Sequence, residues 1–262
     1  MSRLRKPSGI QRGVRYLPEL RLFSVHLKDR QEHYRTLYRL LKPGWKPSTE
    51  VYQELVASRL GPGVKVLDLG CGRGGVMERL HPLADLTVGV DADMASLREH
   101  RAQDISRVQA MAEKLPFPSD SFDLVICSWV LEHLTEPEKA FREIARVLKP
   151  GGRFIFLTPN LLHPIPRLSQ KIARTGALLQ RVLVAGLYGR KSKDVFPPYY
   201  RANTVTEIEK IASRTGLRRV SILTVEDPTY TAFNRLFFRL SVMLERFIPY
   251  ERKVHLVGVY EK

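Results

Sequence analysis

The chain reads as an α/β protein: a mostly parallel β-sheet with helices on both faces, a helical N-terminal extension and a cap insertion. Three observations lead there. From Val64 to Leu157, short apolar runs alternate with runs of helical period. The strand-like runs are apolar throughout, as strands covered on both faces are. The first of them runs directly into a glycine-rich turn.

Taken in order, Tyr34, Leu37, Tyr38 and Leu41 are spaced three and four apart and predict an amphipathic helix over Leu27–Leu41, stopped by Pro43-Gly44. Val51–Leu60 reads as a second helix, with Ser48 or Thr49 as its N-cap and Gly61-Pro62-Gly63 at its end. Val64–Leu69 is the first strand, and Val76–Leu80 continues as helix after the glycine turn. Strand Leu86–Val90 ends at Asp91, followed by helix Met94–Arg101 and a weaker strand, Ile105–Met111. Strand Phe122–Cys127 precedes helix Pro137–Leu148, whose apolar face is Phe141, Ile144, Ala145 and Leu148; Lys149-Pro150-Gly151-Gly152 stops it before strand Arg153–Leu157. Residues 161–203 break the alternation, and Arg167 to Lys193 carries seven Lys/Arg and no acid. Helix Val205–Thr215 ends at Gly216, strand Arg219–Val225 follows, and Val254–Tyr260 is the last strand. Between those strands, Phe233, Leu236, Phe237, Leu240, Met243, Leu244, Phe247 and Ile248 give a helical apolar stripe over Phe233–Ile248.

The expected organisation is a basic helical extension at 1–46, a cofactor-binding core at 47–160, a basic cap at 161–203, and completion of the sheet at 204–262 with an amphipathic helix inserted. Charge divides along the same lines. Of a net +16, residues 1–46 hold 12 Lys/Arg against 3 Asp/Glu, residues 47–160 hold 13 against 16, and residues 161–262 hold 18 against 8. A near-neutral core between basic flanks favours an anionic partner: phospholipid, a phosphate-bearing substrate or RNA. A hydrophobic content of 44% excludes global disorder. Two cysteines, Cys71 and Cys127, cannot staple a fold and point to a reducing, cytoplasmic setting. No Cys/His set has zinc spacing, so no metal is expected. The basic start lacks an apolar signal region, and no apolar run is long enough to span a membrane.

The chemistry sits first on Val66-Leu67-Asp68-Leu69-Gly70-Cys71-Gly72-Arg73-Gly74-Gly75. Gly70, Gly72 and Gly75 fit G-x-G-x-x-G, which also describes a dinucleotide site. Asp68, two residues before the first glycine, would repel a pyrophosphate and attract a cation. One strand later, Asp91 follows Gly70 by 21 residues, the spacing for a carboxylate that accepts from ribose hydroxyls. It could instead cap the next helix. Met94 could offer adenine an apolar surface.

Asp68-x-Gly70-x-Gly72, Asp91, Leu115-Pro116-Phe117-Pro118-x-Asp120-Ser121-Phe122-Asp123, Leu131-Glu132-His133 and Arg146-Val147-Leu148-Lys149-Pro150-Gly151-Gly152 occur in this order. As a set, over roughly residues 64–160, they resemble the class I S-adenosylmethionine-dependent methyltransferases, in particular the ubiquinone and menaquinone biosynthesis subgroup. The resemblance implies a Rossmann-like seven-stranded sheet with the last strand antiparallel, and S-adenosyl-L-methionine as cofactor. It implies that Asp68, Gly70, Cys71 and Gly72 flank the methionine part, that Asp91 and Ala92 hold the ribose, and that Ser128 and Trp129 lie near the methionine. Family members usually carry Asp where this chain has Met111, which cannot accept the adenine amino hydrogen bond, so at this cofactor position beside Met111 the contact passes to the backbone of Ala112. His133 is the candidate catalytic residue, as a general base or as a packed neighbour of the cofactor site. Tyr199, Tyr200 and Arg201 are candidates for a substrate wall, with Arg201 binding an anionic group.

The expected reaction is O- or C-methylation of a small or lipid-linked acceptor, with the basic amphipathic additions at an anionic membrane surface. The default for each apolar stripe is packing on the core. Three rivals stay open: a soluble-metabolite methyltransferase, an RNA methyltransferase favoured by charge alone, and a non-catalytic cofactor-binding assembly partner. Against RNA, no binding module is recognisable, and Cys127-Ser128-Trp129-Val130 stands where amino-methylating nucleic-acid enzymes carry Asn/Asp-Pro-Pro-aromatic.

Overall fold

A computed structural model describes residues 19–175 and 197–262. Seven strands form one sheet: β1 (Lys65–Leu69), β2 (Leu86–Asp91), β3 (Ser106–Gln109), β4 (Phe122–Ser128), β5 (Leu148–Pro159), β6 (Arg218–Val225) and β7 (His255–Glu261). Their order is β3-β2-β1-β4-β5-β7-β6. β7 runs antiparallel to both its neighbours, and the other pairings are parallel. This is the Rossmann-like, mostly parallel sheet that the sequence predicts. β1 to β3 step outward in one direction, and β4 returns to the other side of β1. That reversal opens a crevice at the C-terminal ends of β1 and β4, where α/β sheets take their ligands.

The helices are α1 (Glu19–Leu41), α2 (Ser48–Ala57), α3 (Met77–Leu80), α4 (Met94–Arg98), α5 (Pro137–Val147), α6 (Pro164–Thr175), α7 (Val205–Thr215) and α8 (Arg235–Glu245). Period-two alternation divides the strands between two cores. Val125 and Cys127 of β4 and Phe154 and Phe156 of β5 face Phe141 and Ile144 of α5 and Ile208 of α7. Leu124, Ile126, Ile155 and Leu157 face Tyr52 and Val56 of α2 and Met77 and Leu80 of α3.

The structure departs from the sequence reading in several places. β5 begins at Leu148, because Lys149–Gly152 stays in the strand with Gly151 at φ 76° rather than ending the element. α2 begins at Ser48 with Pro47 as its N-cap and no side-chain cap bond. Ser48 is drawn inward instead, its Oγ 2.9 Å from Nδ1 of buried His255. Of the basic stretch 167–193, residues 176–193 lie outside the described residues, including Leu178, Leu179, Val182 and Leu183. No described helix is long and apolar enough to cross a membrane.

α1 does not pack on the main sheet core. It docks on the insertion between β6 and β7 through Tyr34, Tyr38, Trp45, Ala232 and Phe238. Tyr34 stacks on Phe238 at 4.8 Å between ring centroids. A buried polar knot ties the same seam: Tyr38 Oη donates to Glu226 at 2.7 Å, Trp45 Nε1 donates to the Glu226 carbonyl at 2.9 Å, and Lys42 and Lys253 pair with its carboxylate. Burial pushes the Glu226 carboxyl up, but the hydrogen bonds from Lys42, Tyr38 and Lys253 outweigh it and hold the group below its ordinary value.

Candidate active site

The glycine turn is shaped by two close approaches. Gly70, at φ 75°, donates its N–H to Val90 O at 2.7 Å, and a Cβ there would lie 2.1 Å from Val130 Cγ2. Only glycine fits both the dihedral and the space. Gly72, at φ 51°, donates its N–H to Asp91 Oδ2 at 2.9 Å. Gly75 has open space around it and no positive φ, so the third glycine of the motif is not demanded by the turn.

Asp91 is not the cap of α4. Asp93 is, accepting from the Ala95 and Ser96 N–H groups. Asp91 uses one oxygen for Gly72 N and the other for Asp93 N, at 2.8 Å, so both are fixed at the end of β2. Each oxygen keeps a lone pair for a ligand hydroxyl.

Asp68 ends its strand nearly fully buried, and among the described residues no hydrogen-bond donor or cation pairs with it. Burial, with Asp91 as the next cause, pushes its carboxyl up to about 7. Beside it, burial and then Asp68 hold the Tyr52 phenol well above its ordinary value. Cys71 is buried with its thiol against Gly89, and burial pushes that thiol up, so it serves as wall rather than nucleophile.

These groups border a cavity of about 820 Å³. Asp68, Gly70, Cys71, Gly72, Asp91, Ala92, Met111, Ala112, Ser128, Trp129, His133 and Tyr199 all line it. Met94 does not line it and is exposed, with Ser96 of the same helix on the wall instead. Of the candidate substrate wall, only Tyr199 lines it. Tyr200 is buried away from it, and Arg201 bonds the Thr135 carbonyl at 2.6 Å and lies over the Tyr199 ring at 5.8 Å. Arg201 is thus tied to two residues of the cavity wall, Thr135 and Tyr199, without lining the cavity itself.

His133 sits on the 3-10 turn Leu131–His133, its Nδ1 3.2 Å from Pro197 O. Glu132 turns the other way. Its carboxylate accepts from Thr158 Oγ1 at 3.0 Å, and its carbonyl accepts from the N–H groups of Tyr199 and Tyr200 at 2.7 and 3.0 Å. The Glu-His pair thereby pins the 197–200 segment over the cavity. Trp129 and Tyr200 hold φ of 60° and 53°, a region that costs a bulky side chain roughly 1–2 kcal/mol. Their anchors offset it: Trp129 N–H donates to Leu157 O, and Tyr200 N–H to Glu132 O.

The sequence reading missed the wall supplied by α2. Thr49, Tyr52 and Gln53 line the cavity, and Arg79 beyond the glycine turn donates to Gln53 Oε1 at 3.2 Å across it. Helical spacing marks these residues as one face, but nothing local says that the face meets a crevice built 20 residues later. Among the described residues no cluster of His, Cys, Asp and Glu could hold a metal.

The profile of a methyltransferase-domain family matches residues 67–156. The chain is 39% identical over 100 residues to the uncharacterized methyltransferase YcgJ of Bacillus subtilis, covering 36% of this chain and 40% of that protein. It is 34% identical over 119 residues to the ubiquinone/menaquinone biosynthesis C-methyltransferase UbiE of Vibrio campbellii, covering 40% of this chain and 46% of that one. It thus spans less than half the length of these relatives. A crystal structure of an S-adenosylmethionine-dependent methyltransferase from Mesorhizobium loti shares the fold, with a TM-score of 0.58 at 20% identity, over 82% of this chain and 98% of that one. Residues 67–156 thus match a methyltransferase-domain family and are similar in sequence to ubiquinone and menaquinone biosynthesis enzymes, and the chain shares its fold with a solved S-adenosylmethionine-dependent methyltransferase.

Proposed function

We propose that the protein transfers a methyl group from S-adenosylmethionine to an oxygen or carbon of a small or lipid-linked acceptor, at the surface of an anionic membrane. One observation carries the cofactor: a buried carboxylate, Asp68, faces the cavity and pairs with no cation among the described residues, two residues before a glycine turn and close to a second carboxylate. That donor set fits a ligand bearing positive charge and a ribose. It does not fit a pyrophosphate.

S-adenosylmethionine, when bound, supplies a methyl group already activated on a sulfonium. The chain's own residues then have three tasks. Gly70 and Gly72 let backbone approach the methionine part, and Asp68 offers it negative charge. Asp91 accepts from the ribose hydroxyls, with Met111 and Ala112 at the adenine end. Val130, Leu134, Leu157 and Trp129 make the acceptor side largely apolar and exclude water. Alignment in such a dry pocket supplies much of the rate of an in-line displacement. His133 is the candidate proton acceptor. The Pro197 carbonyl can only accept, which makes Nδ1 the donor nitrogen.

The test is calorimetric titration with S-adenosylmethionine and with NAD. The sulfonium cofactor binds and NAD does not; the reverse result sinks the reading. Asp91→Ala lowers affinity at least tenfold, on the scale of about 1.5–3 kcal/mol for hydrogen bonds to a charged group. Unchanged affinity would remove Asp91 from the site.

A further inference from the structure

The apolar stripe of α8 points away from the protein. Leu236, Phe237, Leu240, Met243, Leu244 and Phe247 are each 42–78% exposed. The expected packing of this stripe on the core is therefore not what the fold does. The inward side of the helix is Phe238, stacked on Tyr34, together with Val242 and Glu245. Glu245 is buried and paired with Lys253 Nζ at 3.1 Å. The orientation of α8 is thus fixed from beneath, and the outward stripe is not a core face that has slipped.

We infer that this outward face of α8 is a docking surface for an anionic lipid bilayer. Three features favour that occupant. Leu236, Leu240 and Met243 follow i, i+4, i+7 within α8, so they form one continuous ridge rather than scattered apolar residues, and exposed Phe247 follows in the turn after it. Arg235, Arg239 and Arg246 are exposed along one flank of the ridge, and the only acid of the helix, Glu245, is buried beneath it. An apolar ridge with a cationic border and no exposed acid matches acyl chains bordered by anionic headgroups. A nucleic acid would meet the same arginines but leave the ridge in water.

The position of the helix adds a reason for the docking. The β6–β7 insertion rises from the C-terminal edge of the sheet, where Pro159 of β5 pairs with His255. Tyr230 of the insertion lies edge-on to His255 at 5.7 Å, and His255 lies edge-on to Trp129 at 5.0 Å. Trp129 lines the cavity. Seating α8 in a bilayer interface would therefore bring the cavity to the lipid side, where a lipid-linked acceptor is held. This rests on the membrane-side reading of the function given above.

The experiment is co-sedimentation of the full chain with phosphatidylglycerol-containing vesicles and with pure phosphatidylcholine vesicles, at low and high salt. The chain binds the anionic vesicles, and salt weakens the binding. A Leu236→Glu/Leu240→Glu variant loses it. Each Arg→Gln change at 235, 239 and 246 lowers the partition about fivefold, and the triple variant about a hundredfold. Cofactor affinity, measured by calorimetry, is the same in the parent and both variants, because none of these residues lines the cavity. Failure of the parent to bind anionic vesicles, or equal binding by the variants, overturns the docking face. So does a dimer in light scattering that Leu236→Glu/Leu240→Glu dissociates, which would give the ridge to a second copy. A parent that binds vesicles but not the cofactor overturns the methyltransferase reading and leaves the docking face standing.

Discussion

Asp68 and Asp91 are both carboxylates at strand ends, yet their surroundings give them different work. Asp91 is hydrogen-bonded to two backbone N–H groups and fixed in place. Asp68 is buried with no donor among the described residues, and its carboxyl is pushed up to about 7. A cationic ligand binds the ionised form, so affinity for S-adenosylmethionine rises with pH through about 7. Below that pH it falls by up to about tenfold per unit, because the proton must leave first. Calorimetry across that range checks it, and Asp68→Asn binds weakly with no such pH dependence. A parent affinity flat with pH would show that Asp68 stays out of cofactor binding. His133 is tested in the same range by rate. As a base, His133→Gln lowers kcat by about 10²–10⁴-fold and abolishes the acidic limb of the pH profile. A change of less than about threefold with the limb intact would make the residue an anchor of Pro197. Both aspartates were legible in the sequence as positions, since they are set by distance from the glycine turn. The ionisation of Asp68 was not, because it depends on burial by Tyr52 and the strands on either side.

At the scale of elements, the segment over the cavity hangs on the 3-10 turn Leu131–His133. Glu132 joins β4 to the chain after α6: its carboxylate holds Thr158, Thr158 Oγ1 accepts from Asn203 Nδ2 at 2.7 Å, and its carbonyl holds Tyr199 and Tyr200. Glu132→Ala leaves the buried Thr158 hydroxyl without its acceptor and costs about 1–3 kcal/mol of stability. The backbone carbonyl at position 132 still accepts from Tyr199 and Tyr200, so KM for the acceptor and the dissociation constant of the cofactor stay close to those of the parent. Urea denaturation and steady-state kinetics check the two parts, and a selective rise in KM for the acceptor would show that the Glu132 side chain, and not its carbonyl alone, holds the cover. The helices themselves were largely legible: α5 and α7 fall where the periodicity of Phe141, Ile144 and Ile208 puts them. Their partners were not. α2 reads as a helix from its spacing, but its role as cavity wall depends on β1 and β4 converging beneath it. α8 reads equally well as a core helix, and it is one on its wrong side.

For the whole molecule, two buried groups set opposing responses to acid. His255 is fully buried, bonded to Ser48 and flanked by Trp129 and Tyr230, and burial holds its pKa down at about 3. Its stability contribution is present above the unfolded value of 6.5 and is lost as pH falls toward 3, because only the unfolded chain takes up the proton. Asp68 behaves oppositely. Its raised pKa means the folded chain holds a proton that the unfolded chain releases, so its contribution grows as pH falls from about 7 toward 3.8. Between those limits the two largely cancel. Replacing Asp68 with Asn removes one of them, and the variant loses stability relative to the parent by about 1.4 kcal/mol per pH unit as pH falls from about 6.5 to about 4. Urea midpoints measured against pH check this; parallel curves would mean that Asp68 is not protonated in the folded protein.

The sequence by itself determined the strand and helix alternation, the glycine turn and the two carboxylates, because each depends on local periodicity, a steric demand on one backbone position, or a fixed distance along the chain. Only the tertiary structure decided which face of α2 and α8 is inside, that Arg201 bonds the Thr135 carbonyl and lies over Tyr199, and that α1 docks on the β6–β7 insertion through Glu226. Those choices depend on which surfaces meet after the sheet has formed. An apolar stripe states that a face must leave water, and the fold decides whether it leaves for the core or for another phase.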